Sequence, residues 1–475
     1  MICLIRLGRK KGLPKVFRCF FLAAGIFLYC AFSATAGEAQ APLRLTPNAA
    51  VEMAIRNNLH LEIARTDLDI RRRASDLAWN QFIPSVGVTG TMSRANWPTT
   101  VQGMSIPPLI DIPSTTLPRW NVIGALNAEL VLTFAQFENM RNLQQQFASG
   151  LIGYERARLQ MEQAVRQRYN DILLLQAEVG LMEENYRNLQ RQAEMAEASF
   201  RAGLAPRLTW LQAQVAVENE RPQVSFAVNG LKSLKGMFAL ILGLPHDTLF
   251  ELQPIPLGVS VIPWDAAEMI SRAAAGSPDI QVLQAEIMAL QAQRRTVHMQ
   301  NNTPFLRFGW SLSSMFDPTR DPFRESWFTR DHWNGGGNLS ITLGMNFNGL
   351  FSFTREGQLL RDIDAGLQMQ NIRLAQTIRE TELGIFTMIN SLERIRNTVE
   401  ARQSTVYMAE ESYRLTEEAF RAGLVDFQVV QNTIQALNGA RIGLLTEQFN
   451  YLNYLIDLEY ALGLPFGTLS GNGSL

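Results

Sequence analysis

The chain has 475 residues, which is too long for one small domain and suits two fused repeats. Its first 36 residues hold six of the 43 basic residues and none of the 44 acidic ones. The remainder has 37 basic and 44 acidic residues and a net charge of −7, so no nucleic-acid partner is expected.

Residues 1–36 have the pattern of a secretory signal peptide. A basic start and an apolar run lead to the small-residue cleavage site Ala34-Thr35-Ala36. Cys30 leaves a lipoprotein alternative open, although Tyr29 precedes it where a small residue is usual. All three cysteines, Cys3, Cys19 and Cys30, fall in this segment, so the mature chain is expected to have no disulfide and no cysteine-ligated metal. No apolar run of transmembrane-helix length follows, which argues against a helical anchor and leaves a β-barrel open.

The first half of the mature chain changes its hydrophobic period twice. A helical pattern from Thr46 to about Phe82 stops before Pro84. Alternation at period two then predicts one strand after Pro84 and a second one ending near Phe134, joined by a Pro-rich and Thr-rich loop. A proline-free helix of roughly 100 Å follows, and after a turn at Gly203 a returning helix, interrupted by Pro222, is predicted.

The second half repeats this order. Phe200-Arg201-Ala202-Gly203-Leu204 returns as Phe420-Arg421-Ala422-Gly423-Leu424, and Leu242-Gly243-Leu244-Pro245 returns as Leu462-Gly463-Leu464-Pro465, both with an offset of 220 positions. A constant offset indicates two structural repeats. Each pentapeptide ends a long helical pattern with Gly, which tolerates a left-handed C-cap, so it predicts a reversal between two helices.

These patterns divide the chain into five segments. They are a signal peptide at 1–36, a first repeat at 37–245, a linker at 246–263, a second repeat at 264–465 and a C-terminal tail at 466–475. Within the repeats we predict strand hairpins at 84–134 and 304–348 and long helical hairpins at 136–243 and 355–463.

The strand before the second long helix has the most regular alternation. Its apolar side, predicted to face lipid, consists of Leu339, Ile341, Leu343, Met345 and Phe347, and its polar side, predicted to face a water-filled lumen, includes Ser340, Thr342 and Asn346. Only four strands are predicted, each about ten residues long, which is the length that crosses a bilayer. Four strands cannot close a barrel and an open edge is not tolerated in lipid, so a membrane-spanning form must oligomerise.

The ordered set of features resembles the TolC-like outer-membrane efflux proteins over roughly Thr46 to Pro465. The resemblance implies a mainly α fold with a membrane β-barrel portion, in which a homotrimer forms a twelve-stranded barrel and an α-helical tunnel across the periplasm. It implies a passive outer-membrane conduit, in a tripartite efflux or type I secretion system, that exports small molecules or proteins. Its partners would be a periplasmic adaptor, an inner-membrane pump and outer-membrane lipid.

The resemblance also implies that the two helical turns form the periplasmic aperture and contact the adaptor. The residues carried over are Gly203, Leu204, Arg421, Gly423, Leu424, Asp426, Val429 and Asn432. Some family members place two acidic residues where this chain has Val429 and Asn432, so a pair of carboxylate rings is not expected here. Asp426 could form one ring, or its charge could simply favour a helix N-terminus.

No catalytic, cofactor or metal site is expected. The four histidines are scattered, no His-Glu-x-x-His spacing occurs, and the chain has no phosphate-binding Gly-rich loop or nucleophile elbow. The alternative to a channel is a periplasmic structural or adhesive coiled-coil protein with soluble hairpins.

Overall fold

A computed structural model describes residues 43–97, 100–103, 105–108, 110–111, 114–116, 120–259, 265–316 and 333–469. The predicted signal peptide lies outside the described residues, as do the last residues of the predicted linker and of the C-terminal tail.

The described residues form ten strands and eight α-helices. In chain order they are β1 (Leu43–Leu45), α1 (Pro47–Asn57), α2 (Leu59–Asp76), β2 (Ser85–Arg94), β3 (Thr100–Val101), β4 (Ser105–Ile106), β5 (Ile110–Asp111), β6 (Thr115–Thr116), β7 (Trp120–Thr133), α3 (Phe134–Arg201), α4 (Arg207–Ile241), β8 (Phe250–Leu252), α5 (Ala266–Gly276), α6 (Pro278–Asn302), β9 (Pro304–Phe316), β10 (Trp333–Met345), α7 (Arg355–Arg421) and α8 (Phe427–Leu462).

The four long strands form one antiparallel sheet in the order β10-β9-β7-β2. β2 pairs with β7, β9 pairs with β10, and β7 joins the two hairpins by pairing with β9. These four are the predicted strands, but six further short strands were not predicted. β1 pairs in parallel with β8, and β3 to β6 form two small ladders within the first loop. These strands are two or three residues long, too short to show alternation in a sequence.

The helices before each hairpin are broken where one continuous helical pattern was expected. Asn58 is extended at φ −73° and ψ 125°, and its Oδ1 accepts a hydrogen bond of 2.9 Å from the N–H of His60, so it ends α1 and caps α2. In the second half Ser277 precedes Pro278, and the proline ring disfavours a helical conformation for the residue before it. Both breaks are therefore local effects of capping residues.

The two longest helices have 68 and 67 residues, so each is on the order of 100 Å long. α3 begins two residues earlier than predicted because Gln136 folds back onto the end of β7. Its Oε1 accepts from the N–H of Thr133 at 3.0 Å, and its Nε2 donates to the carbonyl of Val131 at 2.7 Å. Strand and helix are thus joined without an intervening loop.

Pro222 does not interrupt the returning helix, contrary to the prediction, because α4 runs unbroken through it. Packing of α4 against α3 along the hairpin outweighs the one backbone hydrogen bond that proline removes.

By length and composition alone, α4 is also the one helix of the described residues that could cross a membrane. The sequence analysis missed this because small and polar residues are interspersed among its apolar ones.

Two hydrophobic cores lie where the helical hairpins meet the shorter elements. The first surrounds Tyr169, Ile172 and Phe238 and includes β1, α1 and β8. The second surrounds Ile385, Ile395 and Leu458 and includes α5. A third, smaller cluster lies at the far end of the hairpins.

Candidate functional site: a two-faced sheet and a helical tip

The register of the four long strands places their apolar side chains on one face. Leu339, Trp310 and Ala128 are opposite one another across three strands, and Ile341, Phe308 and Leu130 form the next row. Val86 and Val88 extend this face onto β2. Leu339, Ile341 and Leu343 are 72%, 66% and 76% exposed, so a large apolar surface is open in the single chain.

The other face carries small and polar side chains, and one ion pair crosses it. Ser340 and Thr342 lie on this face, where the hydroxyl of Ser340 donates to the carbonyl of Gly309 at 3.3 Å. Arg307 Nε lies 3.1 Å from Glu129 Oε1, which connects β9 to β7. The sequence analysis placed Ser340 and Thr342 on the polar side of their strand but did not find the ion pair, because it is formed between the two repeats.

Two of the predicted strand residues fall outside the strand. β10 ends at Met345, so Asn346 and Phe347 lie in the connection to the next helix. The alternation continues in the sequence past the last paired residue, whose partner Pro304 is the first residue of β9. The assignment of Leu339, Ile341, Leu343 and Met345 to lipid remains a prediction, because both faces of this sheet are open in one chain.

At the far end of the helices, both turns have the same geometry. Gly203 and Gly423 have φ values of +72° and +73°, the left-handed conformation predicted for them. The N–H groups of Leu204 and Leu424 donate back to the carbonyls of Ser199 and Ala419 at 2.8 and 2.9 Å. Leu204 and Leu424 themselves are 84% and 77% exposed, so each turn presents a leucine to solvent.

An aromatic cluster that the sequence analysis missed joins the two turns. Phe200 stacks on Trp210 with ring centroids 5.6 Å apart, and Phe420 contacts Phe427 at 6.3 Å. Phe427 is buried in the same cluster as Ala196 and Ala213 of the first hairpin. The repeated Phe of the pentapeptide was the available signal for this contact.

The remaining predicted tip residues surround the start of α8. Asp426 is the N-cap residue, Val429 is 44% exposed, and the side chain of Asn432 accepts a hydrogen bond from Gln428 at 3.1 Å. Arg421 pairs with Glu417 at 2.6 Å on the last turn of α7. The position of Asp426 at a helix N-terminus agrees with the simpler of its two predicted roles.

Buried polar groups at the opposite end of the hairpins were not predicted. The hydroxyl of Tyr169 lies 2.8 Å from the carbonyl oxygens of Leu45 and Gln253, and burial raises the pKa of Tyr169 to about 12. Glu459 accepts hydrogen bonds from the N–H groups of Gly467 and Leu469 at 2.9 and 2.7 Å. Burial raises the pKa of Glu459, while those two donors act against the rise.

A polar seam joins the long helix of the first half to the last helix of the second. Gln163 and Gln167 both donate to Asp457 Oδ1, at 2.7 and 2.6 Å, and Asn170 donates to Asn453 at 2.8 Å. Burial raises the pKa of Asp457, against the lowering effect of its two donors. Among the described residues no group of three or more His, Cys, Asp or Glu side chains is arranged to hold a metal.

Comparisons with known proteins agree with this architecture. Residues 50–231 match the family model described as Outer membrane efflux protein. The fold is similar to that of CusC, whose structures concern folding and transmembrane channel formation, with a TM-score of 0.68, 17% identity and coverage of 91% of this chain and 96% of that one.

Two further solved structures are similar at the same level. The Campylobacter jejuni CmeC outer membrane channel has a TM-score of 0.65 and 16% identity, with 88% of this chain and 85% of that one covered. The open state of the Neisseria gonorrhoeae MtrE outer membrane channel has a TM-score of 0.64 and 16% identity, with 88% and 89% covered. No curated protein matches the sequence.

Proposed function

We propose that the chain is a member of the outer membrane efflux protein family, whose model matches residues 50–231, and that it is the outer-membrane channel of an export system. The mature chain, released by cleavage after Ala36, would act as a passive conduit and not as an enzyme. The alternative of a soluble periplasmic coiled-coil protein has no support from the family match.

The observation that carries the proposal is the open sheet. β2 and β10 are the outer strands of the four, and each pairs on one side only within the described residues. The long apolar face would demand lipid contact, and lipid does not tolerate open edges. Since β2 and β10 run antiparallel, β2 of one chain can pair with β10 of the next and continue the alternation. Three chains would close a barrel of twelve strands, an even number as in other bacterial barrels.

The helical hairpins support the same assembly. α4 carries large apolar side chains that the single chain leaves open, with Leu208, Val215 and Phe226 exposed by 64%, 58% and 81%. A second copy alongside α4 would cover them, so trimerisation of the hairpins and closure of the barrel would occur together. The two repeats, 37–245 and 264–465, would each supply one strand hairpin and one helical hairpin to the wall.

The far end of the hairpins would be the periplasmic aperture. Roughly 100 Å of helix separates it from the sheet, and both turns present an exposed leucine there. We assign the adaptor contact to this end, at Gly203, Leu204, Gly423 and Leu424, with an inner-membrane pump behind the adaptor. Asp426, Val429 and Asn432 would line the turn into α8, and a pair of carboxylate rings is not expected there because Val429 and Asn432 are not acidic.

Membrane fractionation and one pair of substitutions test the proposal. The protein is expected in the outer-membrane fraction as a trimer, and recovery only as soluble periplasmic protein would refute the channel. Leu343→Arg places a charge on the apolar face and is expected to cost ~2–4 kcal/mol and to reduce trimer yield strongly. Thr342→Arg, on the opposite face of the same strand, is the control, and equal losses for the two variants would refute the assignment of faces.

A further inference from the structure

The four long strands contain three charged residues, and two of them neutralise each other on the polar face. Glu129 and Arg307 form an ion pair of 3.1 Å with side chains that are 46% and 51% exposed. The third, Arg94, lies at the end of β2 farthest from the helices, with its guanidinium over the ring of Trp120. The rest of the polar face is built of Ser, Thr, Asn, Gly and a few apolar side chains.

The pair is placed at the junction between sheet and helices. Glu129 is five residues before the start of α3, and Arg307 is the fourth residue of β9, so both lie roughly 15 Å or less from the helical end of the sheet. Arg307 is in register with Thr342, and its guanidinium also covers the ring of Phe305 at 5.6 Å. These contacts fix the position of the positive charge beside the carboxylate.

A half-exposed ion pair of this kind contributes little to stability. Hydroxyl and amide side chains hydrogen-bond to water by themselves, so the polar face does not need charged residues to be hydrated. Fixed charges that line an aqueous pore act on permeant ions over about one Debye length, ~10 Å at 0.1 M salt. We propose that Arg307 and Glu129 set the charge selectivity of the conduit at the end of the barrel that joins the helices. Their cancellation leaves this level of the lumen neutral, so that cationic, anionic and zwitterionic solutes pass alike. The inference rests on the proposed function, which turns the polar face toward the lumen.

Single-channel recording of the purified full-chain trimer in planar lipid bilayers under a KCl gradient tests this. Arg307→Gln leaves three carboxylates on one ring, and we expect the cation-to-anion permeability ratio to rise about threefold. Glu129→Gln leaves three guanidinium groups, and the ratio is expected to fall about threefold. The double variant and Arg307→Lys are both expected to keep the wild-type ratio. Arg272→Gln, which removes the exposed partner of Glu268 on α5, is the matched control and is expected to change nothing.

The outcomes separate the two proposals. If the wild-type trimer forms no pore, the proposed function fails. If it conducts and both single variants keep the wild-type ratio, or if Arg272→Gln shifts the ratio as much, the inference is overturned. A purely structural role would instead lower trimer yield in both single variants without moving the ratio in opposite directions. Should Arg307→Gln not assemble, Glu129→Gln and Arg307→Lys decide between these results.

Discussion

The cores of the two helical hairpins use positions 220 apart in the chain but bury different polar groups. In the first core Tyr169 is completely buried, and the matching position in the second core is Ile389. In the second core Glu459 is 1% exposed, and the matching position in the first is Ala239. Tyr169 is on the outgoing helix of its hairpin and Glu459 is on the returning helix of the other.

The two polar groups hold different stretches of backbone. Tyr169 holds β1 and the residue after β8, which together form the parallel pair beside the first core. Glu459 holds the backbone at Gly467 and Leu469, where the chain continues past the second hairpin. In each case a buried polar group marks the place where a connecting segment is attached to a helical hairpin, since apolar packing alone does not satisfy the backbone groups of that segment.

The largest change in stability is expected when the carboxylate of Glu459 is removed. Glu459→Ala removes the carboxylate that accepts hydrogen bonds from two partly buried N–H groups, and we expect a loss of about 3 kcal/mol in the free energy of unfolding. Denaturant titration in detergent measures the loss, and faster chymotrypsin cleavage near Phe466 should accompany it. Glu393→Ala, at an exposed position on α7, is expected to change stability by less than about 0.5 kcal/mol. Equal losses in the two variants would contradict the assigned role.

Alkaline pH should destabilise the first core through Tyr169. The folded protein binds the Tyr169 proton more tightly than the unfolded chain, because its pKa is about 12 against an ordinary 10.0. The stability that this provides is fully present below pH 10 and is lost as the pH rises toward 12, by about 2.5 kcal/mol. Tyr169→Phe should lower the free energy of unfolding by about 1 kcal/mol at neutral pH. It should also abolish the loss of stability that Tyr169 ionisation causes at alkaline pH. An unchanged pH profile in Tyr169→Phe would show that another group is responsible.

The smallest change in stability is expected at the two glycine turns, which have the same conformation in both repeats. Gly203→Ala and Gly423→Ala place a side chain at φ near +72°, with no atom within 4 Å of the new Cβ, so strain is the only cost. Each substitution should reduce stability by about 1 kcal/mol, and by equal amounts. Thermal unfolding of the two variants side by side measures this. A loss in one variant several times larger than in the other would mean that the turns are not equivalent.

The features that could be predicted from sequence are those repeated or periodic in the chain. The long helices, the turns at Gly203 and Gly423 and the four alternating strands follow from local patterns that packing reinforces. Pro222 was misjudged because its local penalty is outweighed by contacts with α3 along the whole hairpin. Asn58 and Ser277 were missed because a cap inside a continuous apolar pattern looks like an ordinary helical residue.

The buried polar contacts could not be predicted for a different reason. Glu129 and Arg307 are 178 positions apart, and Gln163 meets Asp457 across 294 positions. No periodicity links such residues, so the pairing of β7 with β9 and the packing of α3 against α8 had to be known first. The turn residues of the candidate site were available from sequence, whereas the ion pair was not.

The parallel pairing of β1 with β8 also sets an order of events during biogenesis. Leu43–Leu45 is synthesised early, but its partner Phe250–Leu252 follows about two hundred residues later. The first core therefore cannot be completed until the whole first helical hairpin is available to fold. The second core contains no residue of this early segment, so the first core can be completed before the second one forms.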